Sequence, residues 1–306
     1  MKPLSVFCYG EVGLDNIIQA DSLPSPEIAV FPEHESYHIG GAAANTGVWL
    51  AHMGVPTGVS GNMIGDDLYG RQLRTWLEQH EQLDLDALQI VPGLTTPFTR
   101  AIVTPDGERS FLIFYYPKTP KSAFTLEMMR GARYLALDLY GGPERLNAAK
   151  AAHAAGLETT IGDVIWPEHE ALPVTSIVTN SGSYIRNIFP GVDVRAHARK
   201  LQAINKGIVI TTDGGEEVFA IDRDGSAFSA KPPKVTVVDA TGAGDAFRAG
   251  LLYGLNKGLN LAESVCWGMA TGSLKVGQVG AATTLPEFAE IENLANTLIA
   301  KGVQAC

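Results

Sequence analysis

Three cysteines in 306 residues, Cys8, Cys266 and Cys306, are too few and too scattered for a disulfide framework. No CxxC pair occurs and no histidine stands at zinc-ligand spacing from them, so the pattern offers no structural zinc site. Cys8 lies in an apolar run and Cys266 in a helical pattern, the usual places of buried thiols. Basic residues are also scarce: 23 Lys and Arg against 33 Asp and Glu give a formal net charge of −10. A chain of that sign, with no basic run, is repelled by a phosphate backbone, which argues against nucleic-acid binding. There is no stretch of about 20 apolar residues to span a membrane. The N-terminus carries one Lys and only a short apolar run before Glu11 and Asp15, unlike a signal peptide. A reduced, soluble, cytoplasmic protein is expected. Two nucleotide signatures are missing as well, the GxxxxGK[ST] loop and a strand-linked GxGxxG.

What is present is apolar mass in alternating patterns. With 45% hydrophobic residues the chain can bury a large core. Leu4–Val12 reads as a buried strand and Ala42–Gly54 as a helix with a glycine stop. Strand-like "TGVSGNMIG" is followed by "DDLYGRQLRTWLEQH", an acidic cap leading into an amphipathic helix. The alternation recurs through "RYLALDLY", "PERLNAAKAAHAAG", "LETTIGDV", "TSIVTN", "VRAHARKLQAIN" and "KGIVITTD". Repeated strand–helix units predict one α/β domain spanning 1–306, its parallel sheet covered by helices on both faces. Two segments break the rhythm. Thr99–Tyr116 carries two β-rich runs around Asp106-Gly107, a hairpin signal, and Ala29–Gly40 reads as a further extended piece. Lid strands within about 13–39 and 98–116 would form a small sheet beside the main body.

The chemistry concentrates in "TGAGD", Thr241–Asp245. Glycines at 242 and 244 let backbone N–H groups converge, and the apolar pattern of "AFRAGLLYGL" places them at a helix N-terminus, an anion site. An aspartate inside an anion site is paradoxical unless the anion is transient. A phosphoryl group in transfer satisfies both: the amides hold its charge while Asp245 takes the proton of the attacking hydroxyl. The helix end is expected to keep Asp245 ionised. Without further context, a glycine-rich helix start with an N-terminal Asp serves equally well.

Some two hundred residues earlier "GGAAAN", Gly40–Asn45, sets another glycine pair at a helix start, and "GEVGLDN" closes the first strand. Taken with "DATGAGDAF", these stretches resemble the signatures of the ribokinase-like, or PfkB, family of carbohydrate kinases. The resemblance covers nearly the whole chain. It implies a Rossmann-like sheet flanked by helices, a small β-sheet lid, and transfer of the γ-phosphoryl of ATP to a hydroxymethyl group of a sugar, with Mg²⁺. By the same resemblance Asp245 is the general base and Gly242, Ala243 and Gly244 form the anion hole. Asp15, Gly41 and Asn45 bind substrate hydroxyls, since a carboxylate accepts two O–H bonds and an amide both donates and accepts. A helix cap is the alternative for Asn45. Asn180 stands near the phosphates, and Thr212 and Gly214 in "TDG" contact the nucleotide; an ordinary strand-to-turn stretch is the alternative for these two. Asp239, Thr241 and Gly280 would hold a K⁺ ion.

Departures from the family pattern bear on the cofactors. Ser183 stands where the family's N-x-x-E motif has Glu, so altered Mg²⁺ use is expected, with Asp163 as a substitute carboxylate or a simple turn residue. Glu217 replaces a second glycine after "TDG". A nucleoside is the competing substrate, with Phe98, Phe114 and Tyr116 as a base slot or as lid packing. A sugar acid would call on Arg100, and a non-catalytic sensor is the competing class. A homodimer through exposed lid edges is also expected.

Overall fold

The computed structural model describes residues 2–105, 109–138 and 140–306. Its first half runs β1 (Val6–Gly10), β2 (Gly13–Gln19), β3 (His34–Gly40), α1 (Ala42–His52), β4 (Thr57–Gly61), β5 (Ile64–Gly65), α2 (Leu68–Leu77), β6 (Leu83–Asp84), β7 (Ile90–Val91), β8 (Phe98–Val103) and β9 (Arg109–Phe114). The second half runs β10 (Tyr134–Leu137), α3 (Pro143–Ala154), β11 (Glu158–Gly162), β12 (Ile177–Ser181), α4 (Gly182–Ile188), α5 (Val194–Asn205), β13 (Ile208–Asp213), β14 (Glu217–Ile221), β15 (Ala227–Ala230), α6 (Ala243–Asn256), α7 (Leu261–Lys275), α8 (Phe288–Lys301) and β16 (Gln304–Ala305).

The main sheet has the order β16-β15-β14-β13-β12-β11-β10-β1-β4-β6. From β13 to β6 every pairing is parallel; β13 to β16 pair antiparallel. The expected parallel sheet with helices on both faces is thus present, and the antiparallel edge is an addition to it. Its signal was Asp224-Gly225 between two apolar runs: Asp222 N–H donates to Ser226 O at 2.8 Å, and Gly225 takes φ +84°. Strand β1 shows why both faces need cover. Val6 and Cys8 face a core shared with Trp49, Phe247 and Leu298, whereas Phe7 and Tyr9 face one shared with Ala149 and Leu201. Helices α6 and α7 approach closely because Gly250 leaves no side chain between them; a Cβ there would stand 2.4 Å from Trp267 O.

A second sheet of order β3-β2-β8-β9 stands apart from the first. Strand β3 begins at His34, so residues 29–33 of the expected extended piece are not strand. The Asp106-Gly107 turn lies outside the described residues, but the strands on either side pair antiparallel.

Parallel strands expose their carboxyl ends on one side, where open α/β sheets bind ligands. Here those ends lead into Glu11, Asp138, Asp163, Ser181 and Thr212. Asp138, 1% exposed at its side chain, is neutralised by Arg145 of α3 at Nε–Oδ1 3.1 Å, with the arginine side chain 3% exposed. Removing one member of so buried a pair leaves an uncompensated charge. Arg145→Met is expected to destabilise the protein by about 3–5 kcal/mol, read as a lower urea midpoint at unchanged slope.

Candidate active site

Helix α6 starts from Gly242 in the left-handed region, φ +73°, where a Cβ would lie 2.4 Å from the Cβ of Ala281. A side chain is excluded there on both counts. Gly244 differs: nothing lies within 4 Å of its would-be Cβ, so the space above it is open. Ala243 N–H donates to Ala240 O at 3.3 Å, a long bond, and Ala246 N–H closes the first turn on Gly242 O at 2.9 Å.

Asp245 projects from this first turn between two donors. Asn45 Nδ2 donates to its Oδ2 at 3.0 Å, and Arg248 Nη2 to its Oδ1 at 2.8 Å. Arg248 also donates through Nη1 to Leu137 O at 2.8 Å, tying the clamp to the end of β10. Burial raises the Asp245 carboxyl above the ordinary carboxylate range; Arg248 and Asn45 oppose this without cancelling it. Burial thus works against the helix end, which was expected to keep this group ionised. Asn45 is not the helix cap, a position held by Gly41.

The glycine pair serves Asp15 and Glu11. A Cβ on Gly40 would stand 2.3 Å from Asp15 Oδ1, and one on Gly41, at φ +87°, 2.4 Å from Glu11 O. That same carbonyl accepts from Ala43 N and Ala44 N, at 3.1 and 3.4 Å, and so caps α1. Asp15 is 7% exposed, and burial, reinforced by the charge of Asp245, pushes it up to about 7. Glu11 is pushed up to about 8 by burial and Asp138.

A polar cavity of ≈ 330 Å³ lies over the loop, lined by Asp138, Asp163, Asn180, Thr212, Gly242, Ala243, Gly244, Asp245 and Arg248 among others. An adjoining, more apolar groove of ≈ 700 Å³ shares Thr212, Ala243, Gly244 and Phe247 with it and extends past Gly214, Val235 and Met269. Of the expected residues, Asp245, Gly242, Ala243, Gly244, Asn180 and Thr212 thus share one cavity, and Asn45 reaches it through Asp245. Gly214 lines the groove. Asn180 donates to Val164 O at 3.1 Å, while its buried Oδ1 has no hydrogen-bond partner among the described residues. Asp163, at φ +59°, accepts from Ser181 N and Tyr140 Oη at 3.2 and 3.3 Å. Ser183 is exposed and bonded to Ser181 at 2.8 Å. Asp239 and Gly280, both buried, and the half-buried Thr241 cluster behind the loop: Asp239 accepts from Thr241 N at 2.8 Å and from Gly280 N at 2.9 Å.

Residues 4–138 and 140–287 match the model of the pfkB family carbohydrate kinases. The chain belongs to this family. It is 28% identical to a probable chloroplastic fructokinase-6 of Arabidopsis thaliana over 92% of this chain and 79% of that protein. It is 29% identical to the aminoimidazole riboside kinase of Salmonella typhimurium over 85% of this chain and 89% of that enzyme. The structure of Arabidopsis thaliana ribokinase complexed with ribose and ATP superposes with a TM-score of 0.80 at 19% identity, covering 96% of this chain and 99% of that one. A ribokinase-like fold and phosphotransfer to an alcohol acceptor are the properties of this PfkB kinase.

Sequence reasoning missed Arg248, Glu11 and Asp138. Arg248 was within reach, since residues at i and i+3 share a helix face. Glu11 and Asp138 follow strands β1 and β10, the positions where α/β sheets place ligand contacts.

Two outcomes follow. Replacing Arg248 with Met removes the positive charge that opposes burial at Asp245. The acid limb of the kcat/KM profile is then expected to move to higher pH, as a pH titration of the variant would show. Asp15 carries the opposite stability sign from an ordinary paired carboxylate. Its folded pKa lies above the unfolded value, so the native state holds the extra proton between about pH 4 and 7 and stability falls as pH rises through that window. Asp15→Asn is expected to be more stable than the parent at pH 8 by about 1 kcal/mol or more in urea unfolding, and to bind substrate more weakly.

Proposed function

We propose that this PfkB kinase transfers the γ-phosphoryl group of ATP to a primary hydroxyl of a sugar. The observation that carries the reading is the position of Asp245, clamped where the polar cavity meets the apolar groove. The groove beside Thr212, Gly214, Val235 and Met269 suits an adenine and its ribose, and would lead the phosphates over Gly244 into the cavity. The α6 N-terminus supplies the positive end of a helix dipole there, with Gly242, Ala243 and Gly244 bringing backbone close to the transferring group. Asp245, with its carboxyl held above the usual range by burial, accepts the proton of the attacking hydroxyl. Asp15 and Asn45 bind neighbouring hydroxyls and orient the acceptor.

Among the described residues no group of three His, Cys, Asp or Glu side chains forms a metal cage. That suits Mg²⁺ carried on the nucleotide phosphates, which needs only one or two protein carboxylates. Asp163 and the buried Asn180 carbonyl line the cavity and fit that task, whereas the exposed Ser183 offers no charge. When bound, Mg²⁺ neutralises phosphate charge that the acidic cavity would otherwise repel.

The lid favours a sugar over a nucleoside. Phe98 and Phe114 stack at 4.6 Å, Tyr69 meets Phe98 edge-on at 5.3 Å, and Arg100 lies over both phenylalanine rings at 5.7 and 6.0 Å. These aromatics pack on one another rather than lining an open base slot, while the buried Nε of Arg100 has no hydrogen-bond partner among the described residues. A riboside remains the second reading, supported by the riboside kinase among the relatives. Exposed Leu112 and Ile113 on the lid strand β9 support a dimer through the lid. No helix among the described residues is long and apolar enough to cross a membrane, in keeping with a cytoplasmic enzyme.

The test is ADP release from ATP and Mg²⁺ across pentoses, hexoses, sugar acids and nucleosides. One compound is expected to turn over, with Asp245→Asn reducing kcat by about 10²–10⁴-fold. Turnover of nucleosides alone would replace the sugar, and ATP binding without turnover of any compound would replace the kinase with a sensor.

A further inference from the structure

The family resemblance places a monovalent cation beside Asp239, Thr241 and Gly280, and the residues found there do not fit one. We infer that the ammonium group of Lys275 is a built-in cation at this position, so that the kinase works without K⁺.

Lys275 ends α7 and is 1% exposed. Its Nζ donates to Asp239 O at 2.5 Å and to Gln278 O at 3.2 Å, and stands 3.8 Å from Asp239 Oδ2. Two carbonyl oxygens and a carboxylate oxygen around one point are what a monovalent cation would seek. The ammonium, a compact charge with three donors, already takes them. The charge balance agrees. Asp239 is 4% exposed and accepts from the amides of Thr241 and Gly280 beside the Lys275 ammonium. One buried carboxylate is thus matched by one positive charge, and a second cation would meet like charge at close range. The ring of the nearby His38 blocks any Cβ on Gly280 and closes the cluster on that side.

The consequence reaches the reacting centre through Asp239. Its two oxygens hold Thr241 N and Gly280 N, and Ala281, next to Gly280, packs against Gly242. Lys275 is therefore a positioning residue: it holds Asp239 through its carbonyl and carboxylate oxygens, and Asp239 joins the 241–244 loop to the 280 loop. A tethered ammonium is always present, whereas a free ion must be captured from solution.

The experiment rests on the kinase reading, with a second readout that does not. Turnover of the substrate identified above is measured without K⁺, at constant ionic strength in a tetramethylammonium salt, and then with saturating K⁺ or NH₄⁺. The wild-type rate is expected to be unchanged; saturable activation by either ion would overturn the inference. Lys275→Ala is expected to lose about tenfold or more in kcat without K⁺ and to regain activity with K⁺ or NH₄⁺. Full activity of that variant without either ion would also overturn it. Thermal unfolding needs no substrate: K⁺ is expected to raise the Tm of Lys275→Ala and leave that of the wild type unmoved. The wild-type measurements decide the matter even if the variant does not fold.

Discussion

Crowding of negative charge at one end of the sheet is the constraint on which the rest of this structure depends. Glu11, Asp138, Asp163 and Asp245 gather at the strand ends and the first turn of α6, with Asp15 above and Asp239 behind. Burial and mutual repulsion raise Glu11 to about 8 and Asp15 to about 7. Three of these carboxylates are each matched by a cation. Arg145 serves Asp138, Arg248 serves Asp245 and Lys275 serves Asp239. Three cations on three different helices, α3, α6 and α7, thereby converge on one cleft, and the packing of those helices is also the electrostatic support of the site.

The partners differ in how completely they win. Asp239 is held below its ordinary range, as a fixed structural anion should be, since its two oxygens organise two loops. Asp245 remains above that range despite Arg248 and Asn45. The imbalance suits the proton-accepting role proposed for it, because a carboxylate made too comfortable loses basicity. The same residue types, carboxylate and cation, are set for different work by the number of amides around the anion. Asp239 has two backbone donors, and Asp245 has a side-chain amide and a guanidinium.

Much of this was legible in the chain because the chemistry is local. "TGAGD" places a glycine-bordered loop and its aspartate on consecutive residues, and "GGAAAN" does the same for the substrate side. Glycine is informative at Gly41 and Gly242 because a positive φ and a near neighbour forbid any side chain. What stayed hidden depends on three-dimensional juxtaposition. Glu11 and Asp138 become site residues only once β1 and β10 lie side by side. The β14–β15 hairpin was obscured by the strand–helix rhythm before it. Lys275 was the least legible, since a lysine in the last turn of a helix reads as a solvent-facing charge favoured by the helix dipole. Only the return of the chain through Gly280 encloses it.

The link between lid and body then follows from chain economy. Strand β1 of the main sheet and strand β2 of the lid are separated by Glu11 and Val12 alone, and β3 returns to α1 through Gly41. Glu11 O caps α1, Val12 N–H donates to Asn62 Oδ1 at 2.7 Å, and Ile39 N–H donates to Thr283 Oγ1 at 2.8 Å. The lid is thus anchored at both crossings by backbone bonds to the body. Asp15, three residues beyond β1's turn into the lid, cannot be displaced without straining these bonds. The carboxylates of Asp15 and Asp245, proposed above to serve substrate and phosphoryl group, are therefore held in a fixed relation by the fold itself. Their mutual repulsion is part of that relation, and a hydroxyl-bearing substrate between them would relieve it by donating hydrogen bonds to both.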